Sequence, residues 1–154
     1  MRRILKWIGI VIGIIFVGLQ FSRPAKTNPP VDQAQTIEAH TQMTPPVAAI
    51  LDRSCNDCHS NKSRWPWYSN VAPVSWLVIG HVNDARKDLN FSEWGKRDRD
   101  RQSRKLQQIC DEVSDGAMPL GSYTPMHPGA KLSAADVKTL CDWTNRERQR
   151  MAAK

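Results

Sequence analysis

Two cysteines and a histidine fall within five positions of the stretch SCNDCHSN, residues 54–61. Cysteine sulfur and imidazole nitrogen are strong nucleophiles and metal ligands, so Cys55, Cys58 and His59 have the clearest potential for chemistry. The spacing C-x-x-C-H is compatible with a zinc ligand set, a redox-active dithiol, or covalent attachment of a haem. Each of these requires different partners elsewhere in the chain.

The sequence lacks the further ligands that a zinc site needs and the preceding strand that a redox dithiol needs. A zinc site takes about four ligands in a tetrahedron, but Cys58 and His59 are adjacent, and the other cysteines, Cys110 and Cys141, are single and far apart. A redox dithiol is expected at the start of a helix that follows a strand. No alternating strand pattern is visible in the sequence, so neither interpretation is favoured.

Covalent attachment of haem c fits every position of the motif. The two thiols at this spacing add to the two vinyl groups of one porphyrin, and His59 can then coordinate the iron. A haem also needs a large apolar pocket. The aromatic residues that follow the motif could line it: Trp65, Trp67, Tyr68 and Trp76. We therefore interpret Cys55, Cys58 and His59 as an attachment site for one haem c.

Most of the basic charge belongs to the N-terminal segment. The chain has a formal net charge of +7, but residues 1–26 contain five basic residues and no acid, which leaves +2 for the rest. This distribution favours membrane insertion, and no nucleic acid is expected as a partner. A second basic run, Lys96 to Lys105, alternates with acids and predicts a solvated surface or a patch for an acidic redox partner.

An apolar run from about Trp7 to Phe21 follows the first basic residues. It comes within reach of the roughly 17–25 residues of a spanning helix if its flanks contribute. The sequence QFSRP at its exit lacks the small residues of a cleavage site, which favours an uncleaved anchor over a cleaved signal. We expect one N-terminal transmembrane helix within a membrane anchor at residues 1–22. With its basic end in the cytoplasm, the remaining chain would lie outside.

Composition divides the remaining chain into three parts. Residues 23–43 are rich in proline and poor in apolar residues, which predicts an extended tether. Residues 44–146 are expected to form the haem c-binding domain, and residues 147–154 a polar tail.

The periodicity of apolar residues predicts helices throughout this domain. One should begin after Thr44, two more should cover about residues 73–89 and 98–114, and the last should begin at Ser133. The fold class is therefore all-α, a small helical domain with long loops.

The linked blocks around the motif resemble those of bacterial haem-binding domain proteins, a group within the c-type cytochromes. The blocks are CNDCHSNKSRWPWYSNVAPVSWLV (55–78), LNFSEW (89–94) and GAMPLGSYTPMHPGAKLS (116–133). The resemblance covers about residues 44–145. It implies one covalently bound haem in a cytochrome c-like helical fold, in an inner-membrane protein whose haem domain lies in the periplasm.

The iron of such a haem has a sixth coordination position opposite His59, and several residues compete for it. Met118 lies in a Gly-Ala-Met-Pro loop similar to the methionine–proline loop of many small cytochromes c, and we prefer it as the ligand. His81 lies on the apolar stripe of the second predicted helix and is the rival, followed by Met126 and His127. The position could also be empty.

Two functions follow from these alternatives. With His59 and Met118 as ligands, the protein is expected to be a membrane-anchored monohaem cytochrome, an electron carrier that transforms no substrate and serves an unidentified redox partner protein. An open or displaceable sixth position would instead suit a haem-based sensor or a peroxidase-like protein.

Two further sets of residues are expected around a haem. Its propionates need donors, for which Arg64, Arg86 and Tyr123 are candidates. Cys110 and Cys141 remain as an even pair once the motif cysteines are used. In an oxidising compartment we expect a disulfide between them, slightly favoured over two separately buried thiols.

Overall fold

The computed structural model describes residues 1–153. Its α-helices are α1 (Arg2–Leu19), α2 (Ile37–His40), α3 (Pro45–Ser54), α4 (Asn56–His59), α5 (Val74–Asp88), α6 (Arg99–Ser114) and α7 (Ala134–Ala152). Short 3₁₀ helices cover Gln33–Gln35, Trp67–Asn70, Phe91–Lys96 and Pro128–Ala130. Residues 1–153 contain no strand, which confirms the prediction of an all-α fold.

Side-chain caps mark the starts of two main helices, at about the residues where helices were predicted. Asp98 caps α6, because its Oδ1 accepts a hydrogen bond of 2.7 Å from the backbone N–H of Arg101. Ser133 caps α7 in a reciprocal arrangement: its hydroxyl accepts from the N–H of Asp136, and the Asp136 carboxylate accepts from the N–H of Ser133. Gly116 follows the end of α6 with a φ of +70°, a left-handed conformation that favours glycine.

The core lies where α6 and α7 pack together and where α3 packs against α7. Fully buried side chains from these helices include Val47, Leu106, Leu140 and Trp143. A disulfide joins Cys110 of α6 to Cys141 of α7, with the two Cα atoms 4.8 Å apart. The structure therefore confirms the expected pairing and links two core helices covalently.

Residues 23–30 are exposed and have no helix or strand, as expected of a tether, whereas residues 33–43 include two short helices that pack against the domain. Ile37, at the start of α2, is only 1% exposed and belongs to the core cluster. Gly95 allows this close approach, because a Cβ at that position would lie 2.3 Å from Nε2 of His40. Arg86 also donates a hydrogen bond of 2.7 Å to the carbonyl of Thr27. The burial of Ile37 and these polar contacts attach the segment to the domain despite its polar composition.

Residues 147–152 extend α7 and do not form a separate polar tail. Glu147 is 2% exposed and pairs at 2.7 Å with Arg150. The Arg150 guanidinium also donates to the carbonyl of His40, which connects the end of α7 to α2. Glu147 and Arg150 thus have hydrogen-bonding partners within the fold. The composition of the segment does not reveal these partners.

The structure does not support the predicted N-terminal transmembrane helix. Helix α1 forms over Arg2–Leu19, and its apolar side chains are exposed. Within the described chain, however, no helix is long and apolar enough to cross a membrane. The apolar run is short, and Arg2, Arg3 and Lys6 lie inside the helix.

Candidate functional site

The C-x-x-C-H motif lies at the junction of two helices. Helix α3 ends at Ser54, and Cys55 leaves helical geometry with a φ of −127°. The chain turns there into the four-residue helix α4, where the N–H of His59 donates to the carbonyl of Cys55 at 2.9 Å. This turn holds both cysteines and His59 in one short piece of chain next to the core.

The imidazole of His59 is oriented by a backbone carbonyl. Its Nδ1 lies 3.0 Å from the carbonyl oxygen of Leu89, which can only accept, so Nδ1 carries the proton. Burial lowers the pKa of His59 below its ordinary value, which favours the neutral ring. The other nitrogen, Nε2, is therefore unprotonated and available as a metal ligand.

A buried polar network holds the two chain segments that meet at this hydrogen bond. Asn90 donates from Nδ2 to Oδ1 of Asn61 at 2.8 Å, and its own Oδ1 accepts from the N–H of Ser92 at 3.0 Å. The hydroxyl of Ser92 accepts in turn from the N–H of Asn61 at 3.0 Å. Because Asn61 follows the motif and Asn90 follows Leu89, the network sets the distance between His59 and its acceptor.

Three neighbouring cavities surround the motif, with volumes of about 320, 280 and 120 Å³. Cys58 lines the first and second cavities, while His59 and Met118 line the second and third. Cys55 lines the third. The fold thus brings together four residues that the sequence separates by as many as 63 positions.

The competing sixth ligands are placed differently. The N–H of Met118 donates to the carbonyl of Glu112 at 3.1 Å, which turns the chain back over the end of α6. His81 lines the second cavity together with His59 and Met118. Met126 and His127 line only the first cavity, whose walls do not include His59. The structure therefore groups Met118 and His81 with His59.

Apolar walls enclose the first cavity. Three of the four aromatic residues expected there line it, namely Trp65, Trp67 and Tyr68. Trp76 does not, because its indole points to the N-terminal segment and donates to the carbonyl of Ser22 at 2.7 Å. The apolar stripe that was predicted on this helix, α5, forms another part of the wall. It includes Val74, Leu77, Val78 and His81.

Asp57, inside the motif, organises the polar side of the first cavity, and the sequence analysis missed it. Its carboxylate accepts from Nε of Arg64 at 2.9 Å and from the hydroxyl of Tyr123 at 2.8 Å. Burial and the bond to Asp57 raise the pKa of Tyr123 above its ordinary value. The only feature of the sequence that pointed to Asp57 was its position between Cys55 and Cys58.

The three expected propionate donors therefore differ in position. Arg64 and Tyr123 line the first cavity. Arg86 lies outside the walls of all three cavities and donates to the carbonyl of Ser60 at 2.7 Å and to the hydroxyl of Ser63 at 2.8 Å. It stabilises the loop after the motif.

The two motif cysteines are free thiols with raised pKa values. Burial, helped by the neighbouring Cys58, raises the pKa of Cys55 to about 12. Burial and the charge of Asp57 raise that of Cys58 to about 11. A redox-active C-x-x-C motif uses a thiol of lowered pKa, which is the opposite behaviour.

A zinc ligand set is not assembled around the motif. Among residues 1–153 there is no group of three or more histidine, cysteine, aspartate or glutamate residues that could hold a metal ion. What the site does offer is a pair of neutral thiols, an imidazole with Nε2 available, and apolar cavities on either side. This donor set fits a haem held by two sulfurs and one nitrogen.

Comparison with protein families agrees with this geometry. Residues 14–146 match the family described as a haem-binding domain, which is most of the chain. Comparisons with curated proteins and with solved structures find no match. Because the match spans both the motif and the helices that surround it, the chain belongs to the haem-binding domain family.

Proposed function

We propose that this protein is a monohaem c-type cytochrome that carries electrons outside the cytoplasm. The observation that carries the proposal is the convergence of Cys55, Cys58, His59 and Met118 on adjoining cavities. The membership of the chain in a haem-binding domain family supports haem as the cofactor. Covalent attachment and electron transfer are the parts that the proposal adds.

Each of these residues has a distinct role in the proposal. Cys55 and Cys58 would hold the haem through thioether bonds, and Nε2 of His59 would ligate the iron. Met118 would supply the second protein ligand. A haem bound in this way supplies a one-electron Fe(III)/Fe(II) couple. A methionine ligand would favour a higher reduction potential than a second histidine would.

The surrounding residues keep the site rigid and dry. The carbonyl of Leu89 holds the His59 ring in one orientation, and the Asn61–Asn90–Ser92 network holds that carbonyl. Trp65 and Val78 are among the apolar residues that line the cavity and reduce the access of water. A site whose ligands move little between oxidation states suits electron transfer, and no transformed substrate is proposed.

The disulfide supports a location outside the cytoplasm. The bond between Cys110 and Cys141 is of a kind that persists in oxidising compartments such as the bacterial periplasm. The basic residues at the start of α1 and its exposed apolar side chains support association with the inner membrane through this helix. An unidentified redox protein would exchange electrons with the haem.

Haem staining after denaturing electrophoresis tests covalent attachment. We expect the wild-type protein, produced with periplasmic export and haem c attachment, to stain. We expect Cys55→Ala and Cys58→Ala together to abolish staining. The matched control is Cys110→Ser with Cys141→Ser, which removes two cysteines outside the motif and should still stain. An unstained wild-type protein would contradict the proposal.

A second candidate function is favoured by the position of His81. Because it lines the same cavity as His59, it could act as a distal polar group in a haem-based sensor or a peroxidase-like protein with an open sixth position. Carbon monoxide binding to the reduced holoprotein distinguishes the two. Slow or no binding supports the carrier, whereas rapid binding with a high-spin ferric spectrum supports the alternative.

A further inference from the structure

A group of exposed apolar residues lies beside the first cavity. We call Trp67, Val74, Trp76 and Leu77 the apolar patch. Their exposed fractions are 72%, 42%, 36% and 55%. A contiguous patch of exposed apolar residues marks a surface that binds a membrane, another protein or a ligand. Because Trp67, Val74 and Leu77 also line the first cavity, the patch is part of the wall of the cavity.

The end of helix α1 is bonded to the chain segment that carries the apolar patch. The amide of Gln20 donates to the carbonyl of Ala72 at 3.1 Å, and its oxygen accepts from the N–H of the same residue at 3.0 Å. Two residues later, the carbonyl of Ser22 accepts from the indole of Trp76 at 2.7 Å. The C-terminal end of α1 is therefore held next to the patch.

The N-terminal segment next to the patch carries charge of one sign. Residues 1–31 contain five basic residues and no acid, whereas Arg64, beside the first cavity, is paired with Asp52 and Asp57. Arg23 and Lys26 both donate to Asn70, at the edge of the patch. A basic border around apolar and tryptophan side chains complements a lipid surface that contains anionic headgroups.

We propose that the apolar patch of the haem domain enters the surface of an anionic lipid bilayer, with α1 docked beside it. Tryptophan suits this position because its ring is apolar and its N–H is polar. The proposal goes beyond membrane association through α1, because it assigns lipid contact to the domain itself. Its consequence is that the wall of the first cavity formed by Trp67 and Leu77 faces the membrane, which orients the site relative to membrane-bound partners.

Spin labelling of the full-length holoprotein tests the contact directly. A nitroxide is attached at Leu77→Cys and, as the matched control at an exposed position of α6, at Arg104→Cys. Wild-type protein treated with the same reagent reports any labelling of other cysteines. With vesicles of phosphatidylcholine and phosphatidylglycerol, we expect the label at 77 to gain collisions with oxygen and lose collisions with a water-soluble nickel complex. For the label at 104, the collision rates with oxygen and with the nickel complex should both stay unchanged.

Binding to the same vesicles gives a second, independent measurement. With α1 intact, we expect Trp67→Ser combined with Leu77→Ser to weaken flotation with vesicles about tenfold, because two apolar side chains no longer enter the lipid. Arg104→Ser combined with Asp111→Ser, a charge-balanced change on α6, should bind as the wild type does. Haem staining of each variant is recorded separately, so loss of haem and loss of lipid contact are distinguished.

Three outcomes would overturn the inference. The label at 77 could stay accessible to the nickel complex on vesicle-bound protein, which would leave the patch in water. It could be shielded before vesicles are added, which would mean that the haem covers the patch. The serine variant could bind vesicles as tightly as the wild type, which would assign all lipid contact to α1.

Discussion

Nδ1 of His59 donates a hydrogen bond of 3.0 Å to the carbonyl oxygen of Leu89, 30 residues further along the chain. This bond determines the tautomer of the ring and points Nε2 away from the backbone acceptor. It also connects the motif, at the end of α3, to the residue that follows α5. The orientation of the main candidate ligand thus depends on how two separate segments are held together.

The network around Asn90 should contribute measurably to stability. Asn90→Ala removes two buried hydrogen bonds and leaves partners on Asn61 and Ser92 unsatisfied, so we expect the free energy of unfolding to fall by about 1–3 kcal/mol. Urea unfolding measures it. The control is Asn145→Ala on the exposed side of α7, which should change stability by less than about 0.5 kcal/mol. Equal effects of the two variants would contradict the role of the network.

The visible spectrum of the holoprotein should identify the sixth ligand. If Met118 binds the iron, Met118→Ala removes the weak red band of iron–methionine charge transfer, while His81→Ala leaves it in place. We expect this result, because Met118 and His59 together line two of the three cavities. A band that disappears only in His81→Ala would assign the ligand to His81. Both variants are compared with the wild type at matched haem content.

The cap of α7 should make the free energy of unfolding depend on pH. The backbone N–H of Ser133, its hydroxyl and the Arg53 guanidinium lower the pKa of Asp136 below its ordinary value, against a smaller effect of burial. A lowered folded pKa stabilises the fold above the unfolded value of about 4, and this contribution is lost as the pH falls through the folded pKa. We expect Asp136→Asn to cost about 1 kcal/mol at neutral pH and progressively less below about pH 4.

Urea unfolding at neutral pH and at about pH 3 measures this dependence. Asp142→Asn is the matched control, since Asp142 lies on the same helix and makes an exposed ion pair with Lys138. Its effect should be below about 0.5 kcal/mol at neutral pH. A penalty for Asp136→Asn that stays constant with pH would show that the carboxylate charge is not involved.

The disulfide should be a large single contribution to stability. Cys110 and Cys141 are 31 residues apart, so the chain-entropy model gives about 3–4 kcal/mol for closing this loop. We expect Cys110→Ser with Cys141→Ser to lower the free energy of unfolding by about that amount. The intact mass of the wild-type protein under non-reducing conditions should be two hydrogens lower for this pair. Free thiols at both positions would contradict the pairing.

Helices with strong local signals were predicted well. The helix starts predicted at about residue 98 and at Ser133 are confirmed, because capping is decided within a few residues. Within the predicted tether, residues 33–43 pack against the domain, which the sequence did not reveal because the burial of Ile37 depends on Phe91–Lys96, far away in the chain. The stripe of α5 was recognised as apolar, but periodicity cannot tell a core face from the wall of a cavity.

The sequence by itself determined the chemistry of the motif, because the types and spacing of Cys55, Cys58 and His59 already restrict what they can bind. It also determined the helical class, through periodicity and capping. Only the tertiary structure decided which distant groups meet these residues. Leu89, Asp57 and Met118 acquire their roles through contacts that depend on how the helices pack, and packing is a property of the whole chain.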